Sequence, residues 1–169
     1  HPGNVIVLED GRLGLIDYGM VGRLSVEERG RISDVVLALV ARDRAAVSKL
    51  YVDAGYRACW HGGGDHADDA VYRIATFHLD RIDLSPVGMP DGSQMPVMKM
   101  LTSTIERSVP DWIEQARRLG GLLIGVASQA GRPISLANEW ASIAEMVQRE
   151  REGGRAAGGR TLVRTITHG

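Results

Sequence analysis

Asn4 and Asp17 are the two side chains in this sequence best placed to hold a divalent cation between them. An amide oxygen and a carboxylate are both hard oxygen donors, the ligand type that Mg²⁺ takes. Sharing a metal with nucleotide phosphates, such a pair would position and neutralise charge, which is most of what phosphoryl transfer asks of a protein. Thirteen positions separate them, and the segment between them explains how they can meet. Val5-Ile6-Val7-Leu8 and Leu13-Gly14-Leu15-Ile16 are short apolar runs on either side of Glu9-Asp10-Gly11-Arg12. Asp-Gly between two such runs is a strong hairpin signal, and a hairpin brings its ends together. Gly19 and Gly22 then give the following loop the backbone freedom that a metal-binding turn needs.

The stretch His1-Pro2-Gly3-Asn4, followed by the hairpin and by Leu15-Ile16-Asp17-Tyr18-Gly19-Met20-Val21-Gly22-Arg23-Leu24, resembles the UbiB/ABC1/ADCK family of atypical kinases. That family carries an Asp-Pro-His-Pro-Gly-Asn catalytic loop and a Leu-Asp-Phe-Gly-Met-Val-Gly-Arg-Leu metal loop. The agreement is nearly continuous over residues 1–24, with Tyr18 standing where Phe is usual. Glu28-Arg29 and Ile134-Ser135-Leu136-Ala137-Asn138-Glu139-Trp140 also read like the family. In the family pattern the catalytic Asp lies two positions before the residue matching His1. The small lobe, its nucleotide-contacting Lys, the Ala-rich loop and the Lys-x-Gly-Gln motif come earlier still. The resemblance therefore implies a C-terminal piece of a longer protein, inactive on its own.

The fold it implies is mainly α with a small β-hairpin: the large (C-terminal) lobe of a protein-kinase-like fold, small lobe absent. Residues 1–151 would form that partial lobe and residues 152–169 a flexible Gly/Arg-rich tail. Asn4 and Asp17 would hold Mg²⁺ against ATP, and His1 would be the catalytic-loop imidazole, either propping the loop or touching substrate or phosphate. The implied activity is an atypical kinase or ATPase supporting ubiquinone or prenylquinone biosynthesis or lipid homeostasis. Its implied partners are ATP, quinone-biosynthesis proteins and prenyl lipids. Mitochondrion or plastid is the implied location in a eukaryote, cytoplasm or a membrane-associated state in a bacterium. A second reading is a pseudokinase-type regulatory or scaffolding module without turnover. A third is a solitary helical interaction domain.

Composition sets outer limits. With 169 residues, 44% of them hydrophobic, the chain can bury one core and is most simply one domain. A net charge of −1 and a pI near 6.6 give no case for nucleic acid or an anionic membrane surface. Cys59 is single, so no internal disulfide forms. The longest apolar stretch, Leu119 to Ala127, has nine residues and three glycines. A membrane span needs roughly 18–20.

Ser25 with Glu28 is a capping box, and Ile32, Val35, Val36, Leu39 and Val40 recur at helical spacing, so a helix over about 25–42 is expected. It follows the metal loop directly, with no long activation segment, which argues against a broad peptide groove. Asp43 should cap a second helix that Gly55 stops. Further helices are expected from Asp65 to about 83, over 95–107 and 111–119 around Pro110, over about 121–130, and from Leu136 to Arg151. Pro86 to Pro96 reads as an irregular insert, and Leu162 to Ile166 as a short strand at most.

Several other residues invite chemistry and are better explained by structure. Arg23 suits a solvated or helix-anchoring role over phosphate contact. His61, Asp65 and His66 fit no strong zinc pattern and sit beside Gly62-Gly63-Gly64, so they read as loop residues. His78 reads as a packing or surface histidine. Met89, Met95, Met98 and Met100 read as soft core filling, not a quinone groove, and Trp112 and Trp140 as core.

Overall fold

The computed structural model describes residues 2–17, 19, 21–61, 64, 68–89, 91–132 and 134–161. A short 3-10 turn, Pro2–Asn4, leads into β1 (Val5–Val7), which pairs antiparallel with β2 (Leu13–Leu15). Then come α1 (Val26–Val40), α2 (Arg44–Asp53), β3 (Arg57–Trp60) and α3 (Asp68–Leu79). A tiny ribbon of β4 (Val87–Gly88) and β5 (Gln94–Met95) is followed by α4 (Val97–Ser103) and β6 (Thr104–Ser108). Two long helices close the chain, α5 (Asp111–Gln129) and α6 (Leu136–Thr161).

The ends of α1 and α2 follow from local chemistry. The Ser25 side chain accepts from the Glu28 N–H while Glu28 accepts from the Ser25 N–H, so the box closes in both directions. The Asp43 carboxylate accepts from the Ala46 N–H at 3.0 Å and starts α2. Gly55, at φ 98°, ends α2: its N–H bonds the Val52 carbonyl and the Tyr56 N–H reaches back to Tyr51. That pair of bonds is a Schellman motif, which needs a left-handed residue at its turn.

α3 is the central helix. Its residues Ala70 to Thr76 are buried in succession, so every face is covered. Val35, Val36 and Leu39 of α1, Val47 and Tyr51 of α2, Trp112, Ile113 and Ala116 of α5 and Ala137 and Ala144 of α6 join its core. Each large apolar side chain buried there contributes about 1.5–3 kcal/mol relative to exposure. Met100 is fully buried and Met98 is exposed, so the methionines divide between core and surface. α6 is tied to α1 by Asp34, whose carboxylate accepts from Gln148 and, at 3.1 Å, from Arg151.

The expected fold class holds in outline, mostly helical with an N-terminal hairpin, but the sequence reading undercounted the strands. Residues 104–107 were expected to be helical and lie in β6, paired antiparallel with β3. Thr104 and Ile105 are β-branched, and the partner strand is supplied from far away in sequence. The insert over 86–96 is a two-stranded ribbon turning at Gly92, φ 82°. Gly120-Gly121 does not divide two helices, because α5 runs through it. α3 stops at Leu79, short of the expected 83, and α6 continues to Thr161, ten residues beyond the expected Arg151. The expected strand at 162–166 lies outside the described residues.

Candidate metal centre

The β1–β2 register pairs Val5 with Leu15 and Val7 with Leu13. Its turn is closed by Leu8 N–H to the Arg12 carbonyl (2.8 Å) and Gly11 N–H to the Leu8 carbonyl (2.9 Å), with Gly11 at φ 81°. Asp10 accepts from both the backbone N–H and the Nε of Arg12. At the open end one further backbone bond, from the Ile16 N–H to the Asn4 carbonyl at 3.1 Å, extends the pairing by a residue. Asn4 and Ile16 are therefore opposite one another, and Asp17 is the first residue past the paired region. The hairpin contributes nothing to the buried core; Val5, Ile6, Val7, Leu13 and Leu15 are all exposed.

At that open end the Asn4 amide donates from Nδ2 to Asp17 Oδ2 at 3.0 Å. The other carboxylate oxygen, Oδ1, accepts from the Gly19 N–H at 2.8 Å, which fixes the direction of the Asp17 side chain. Two neighbouring ligands of an octahedral Mg²⁺, each about 2.1 Å from the metal, stand about 3.0 Å apart. The Asn4–Asp17 spacing has that size. The donor set fits the ion: one charged and one neutral oxygen donor, once the amide turns its oxygen toward Asp17. Mg²⁺ is commonly held by only one or two protein donors, with phosphates and water completing the shell.

Arg23 and His61 are exposed. His1 and Tyr18 lie outside the described residues, as do Asp65 and His66 of the second candidate cluster. Among the described residues no group of three or more His, Cys, Asp or Glu side chains could hold a metal. None of the described helices is long and apolar enough to cross a membrane.

The sequence reading missed a buried polar group around His78, in the last turn of α3. His78 is enclosed by the rings of Tyr51 and Tyr56, with centroids at 6.2 and 6.4 Å. Its Nε2 faces Glu106 Oε1 of β6 at 4.0 Å. Glu106 also accepts from the Tyr56 hydroxyl at 3.0 Å and from Arg117 of α5 at 3.1 Å. Burial, then the Arg117 guanidinium, push the His78 imidazole down to a pKa of about 4, so it is neutral at pH 7. Burial, with the Glu106 carboxylate beside it, raises Tyr56 and keeps its hydroxyl protonated. The members come from four separate segments, and no local spacing signals them. This group is structural, and its Glu106, Arg117 and Tyr56 satisfy one another.

An amide and an acid thus meet at the open end of a hairpin, ahead of a capped helix. Residues 1–51 match the ABC1 atypical kinase-like domain. An uncharacterized protein of Synechocystis is 47% identical over 53 residues, 31% of this chain and 13% of that protein. The Arabidopsis thaliana protein ACTIVITY OF BC1 COMPLEX KINASE 1, chloroplastic, is 23% identical over 118 residues, 60% of this chain and 17% of its own length. A probable protein kinase UbiB of Photorhabdus laumondii is 32% identical over 80 residues, covering 45% of this chain and 14% of itself. The resemblance to the ABC1/UbiB atypical kinases is thereby shown, and it is concentrated in the first 51 residues. The chain spans less than a fifth of the length of these relatives. No solved structure matches.

Proposed function

We propose that this chain is part of the large lobe of an ABC1/UbiB-type atypical kinase or ATPase, with Asn4 and Asp17 as the protein ligands of Mg²⁺ in Mg-ATP. The observation that carries this reading is the 3.0 Å approach of the two side chains at the root of the hairpin. Bound there, Mg²⁺ would neutralise charge on the nucleotide phosphates. Asp17 contributes the negative charge, and Asn4 adds a donor without adding charge. The Gly19 N–H holds the carboxylate in one rotamer, and the hairpin pairing fixes the separation of the two ligands. His1 supports the catalytic loop. The family resemblance supports a role in ubiquinone or prenylquinone biosynthesis or lipid homeostasis, and the chloroplastic relatives support a plastid location if the source is eukaryotic.

Mn²⁺ added to the isotopically labelled chain tests the ligand pair, because a paramagnetic ion broadens only the nuclei near it. Selective loss of the Asn4 side-chain amide and the Gly19 amide signals is expected, abolished in Asp17→Asn. An amide cannot supply the charge that holds the cation. Equal broadening in wild type and Asp17→Asn would remove Asp17 from the site.

A further inference from the structure

Between Asp17 and the first residue of α1 every described residue is exposed. That stretch nevertheless has to present the Asp17 carboxylate in a fixed direction, and burial of its described side chains does not hold it there. Support reaches it from the helical core. The carboxamide of Gln115, on the solvent side of α5, lies over the α-carbon of Gly22. A Cβ placed on Gly22 would overlap Gln115 Oε1 and meet Cδ at 3.0 Å, and its three nearest atoms all belong to that one side chain.

Gln115 is itself carried by the most deeply packed part of α5. Trp112, Ile113 and Ala116 on the same turn are buried in the main core. The helix there is fixed by packing, while the loop opposite it is not. Only a glycine lets the carboxamide settle directly on the backbone, since any β-carbon at position 22 occupies the same space.

We propose that Gln115 is a positioning residue for the metal centre, bracing the loop over residues 19–24 against α5 and so holding Asp17 in place. The proposal rests on the metal reading above. It assigns a role to a residue well outside the segment that matches the ABC1 domain. The carboxamide is the far end of a flexible side chain, so a β-carbon at position 22 displaces it at little cost to the fold. Loss of the brace and loss of stability are therefore separable.

The test compares wild type, Gln115→Ala, Gly22→Ala and the double variant in the labelled chain. Thermal midpoints, {¹H}–¹⁵N heteronuclear NOE values at positions 19 and 22, and Mn²⁺ broadening of the Gly19 amide are measured on each. Each single variant should lower the NOE at position 19, leave the thermal midpoint near wild type, and raise the Mn²⁺ concentration for half-broadening about two- to fivefold, the scale of one weak contact. The double variant should be no worse than the worse single, because both changes remove one interaction. Wild-type loop order and Mn²⁺ response in Gln115→Ala overturns the proposal, as do single effects that multiply in the double. If Mn²⁺ spares Gly19 in wild type, the metal reading fails, and with it the positioning role; the NOE comparison then shows separately whether Gln115 braces the loop.

Discussion

The backbone carbonyl of His78, in the last turn of α3, lies against the α-carbon of Gly120 in the middle of α5. The helices cross so closely there that a β-carbon on Gly120 would overlap that carbonyl oxygen and press on Leu136 Cδ1 at 3.3 Å. A carbonyl of a buried helix cannot swing aside as a side chain can. Because the obstacle is backbone, the overpacking cost sits at the upper end, about 2–3 kcal/mol, so Gly120→Ala should destabilise the chain by about 1–2 kcal/mol net of the roughly 1 kcal/mol by which alanine favours a helix. Gly121 meets nothing within 4 Å, so Gly121→Ala should raise stability by up to about 1 kcal/mol. Urea midpoints of the two variants should move in opposite directions. A Gly120→Ala chain as stable as wild type would contradict the close approach.

The same helix end gives the protein a built-in sensitivity to acid. The His78 pKa falls from an ordinary 6.5 to about 4 in the folded chain, chiefly through burial and then through Arg117, with Glu114 opposing. The unfolded chain therefore binds the proton more readily than the native one. This contribution to stability is complete above about pH 6.5 and is lost as pH falls toward 4, amounting to on the order of 3 kcal/mol. In His78→Leu the slope of stability between pH 6.5 and 4 should flatten, whatever the variant's absolute stability. Urea unfolding at a series of pH values checks this, and an unchanged slope would place the titration elsewhere.

Two helix ends share one geometry with different residues in the critical position. Gly55 ends α2 at φ 98°, whereas Arg42 ends α1 at φ 56° and is the one non-glycine residue with positive φ among those described. Its N–H still bonds the Leu39 carbonyl at 3.0 Å, and the Asp43 N–H bonds Ala38 at 3.0 Å. The left-handed conformation costs an L-residue about 1–2 kcal/mol, more than the entropy a glycine adds to the unfolded chain. Arg42→Gly should raise the thermal midpoint and Gly55→Ala should lower it. A lower midpoint for Arg42→Gly would mean that the arginine side chain contributes more than its backbone costs.

What was legible in the sequence follows from where each signal is encoded. The starts of α1 and α2 and the stop of α2 were readable because Ser25, Glu28, Asp43 and Gly55 act on backbone groups within a few residues. β6 was misread as helix because its state is decided by pairing with β3, about fifty positions earlier. Gly120-Gly121 looked like a break because the sequence does not show the carbonyl that Gly120 accommodates. At the site, the hairpin and its flanking amide and acid were visible as a motif, and in the structure the two side chains lie 3.0 Å apart. The seat of Gln115 on Gly22 was not visible, because it joins a loop to a helix more than ninety positions away.

The capping box at Ser25 links the loop after Asp17 to the rest of the chain, since α1 begins immediately where that loop ends. The Ser25 hydroxyl accepts the Glu28 N–H at 3.1 Å, and the Glu28 carboxylate accepts the Ser25 N–H at 2.7 Å. The Ser25 N–H and hydroxyl lower the Glu28 pKa, so the box holds its charge through neutral pH and weakens in acid. Ser25→Ala leaves a helix N–H without its partner and should cost about 0.5–2 kcal/mol. Glu28→Gln keeps a hydrogen-bond acceptor and loses the favourable charge at the helix start, so a smaller loss is expected. Amide hydrogen exchange at Glu28 and Arg29 should accelerate in Ser25→Ala, while exchange at Val35 and Val36 in the core changes only as far as global stability does. Uniform acceleration along α1, with no excess at its first turn, would show that the helix start is held by packing and not by the cap.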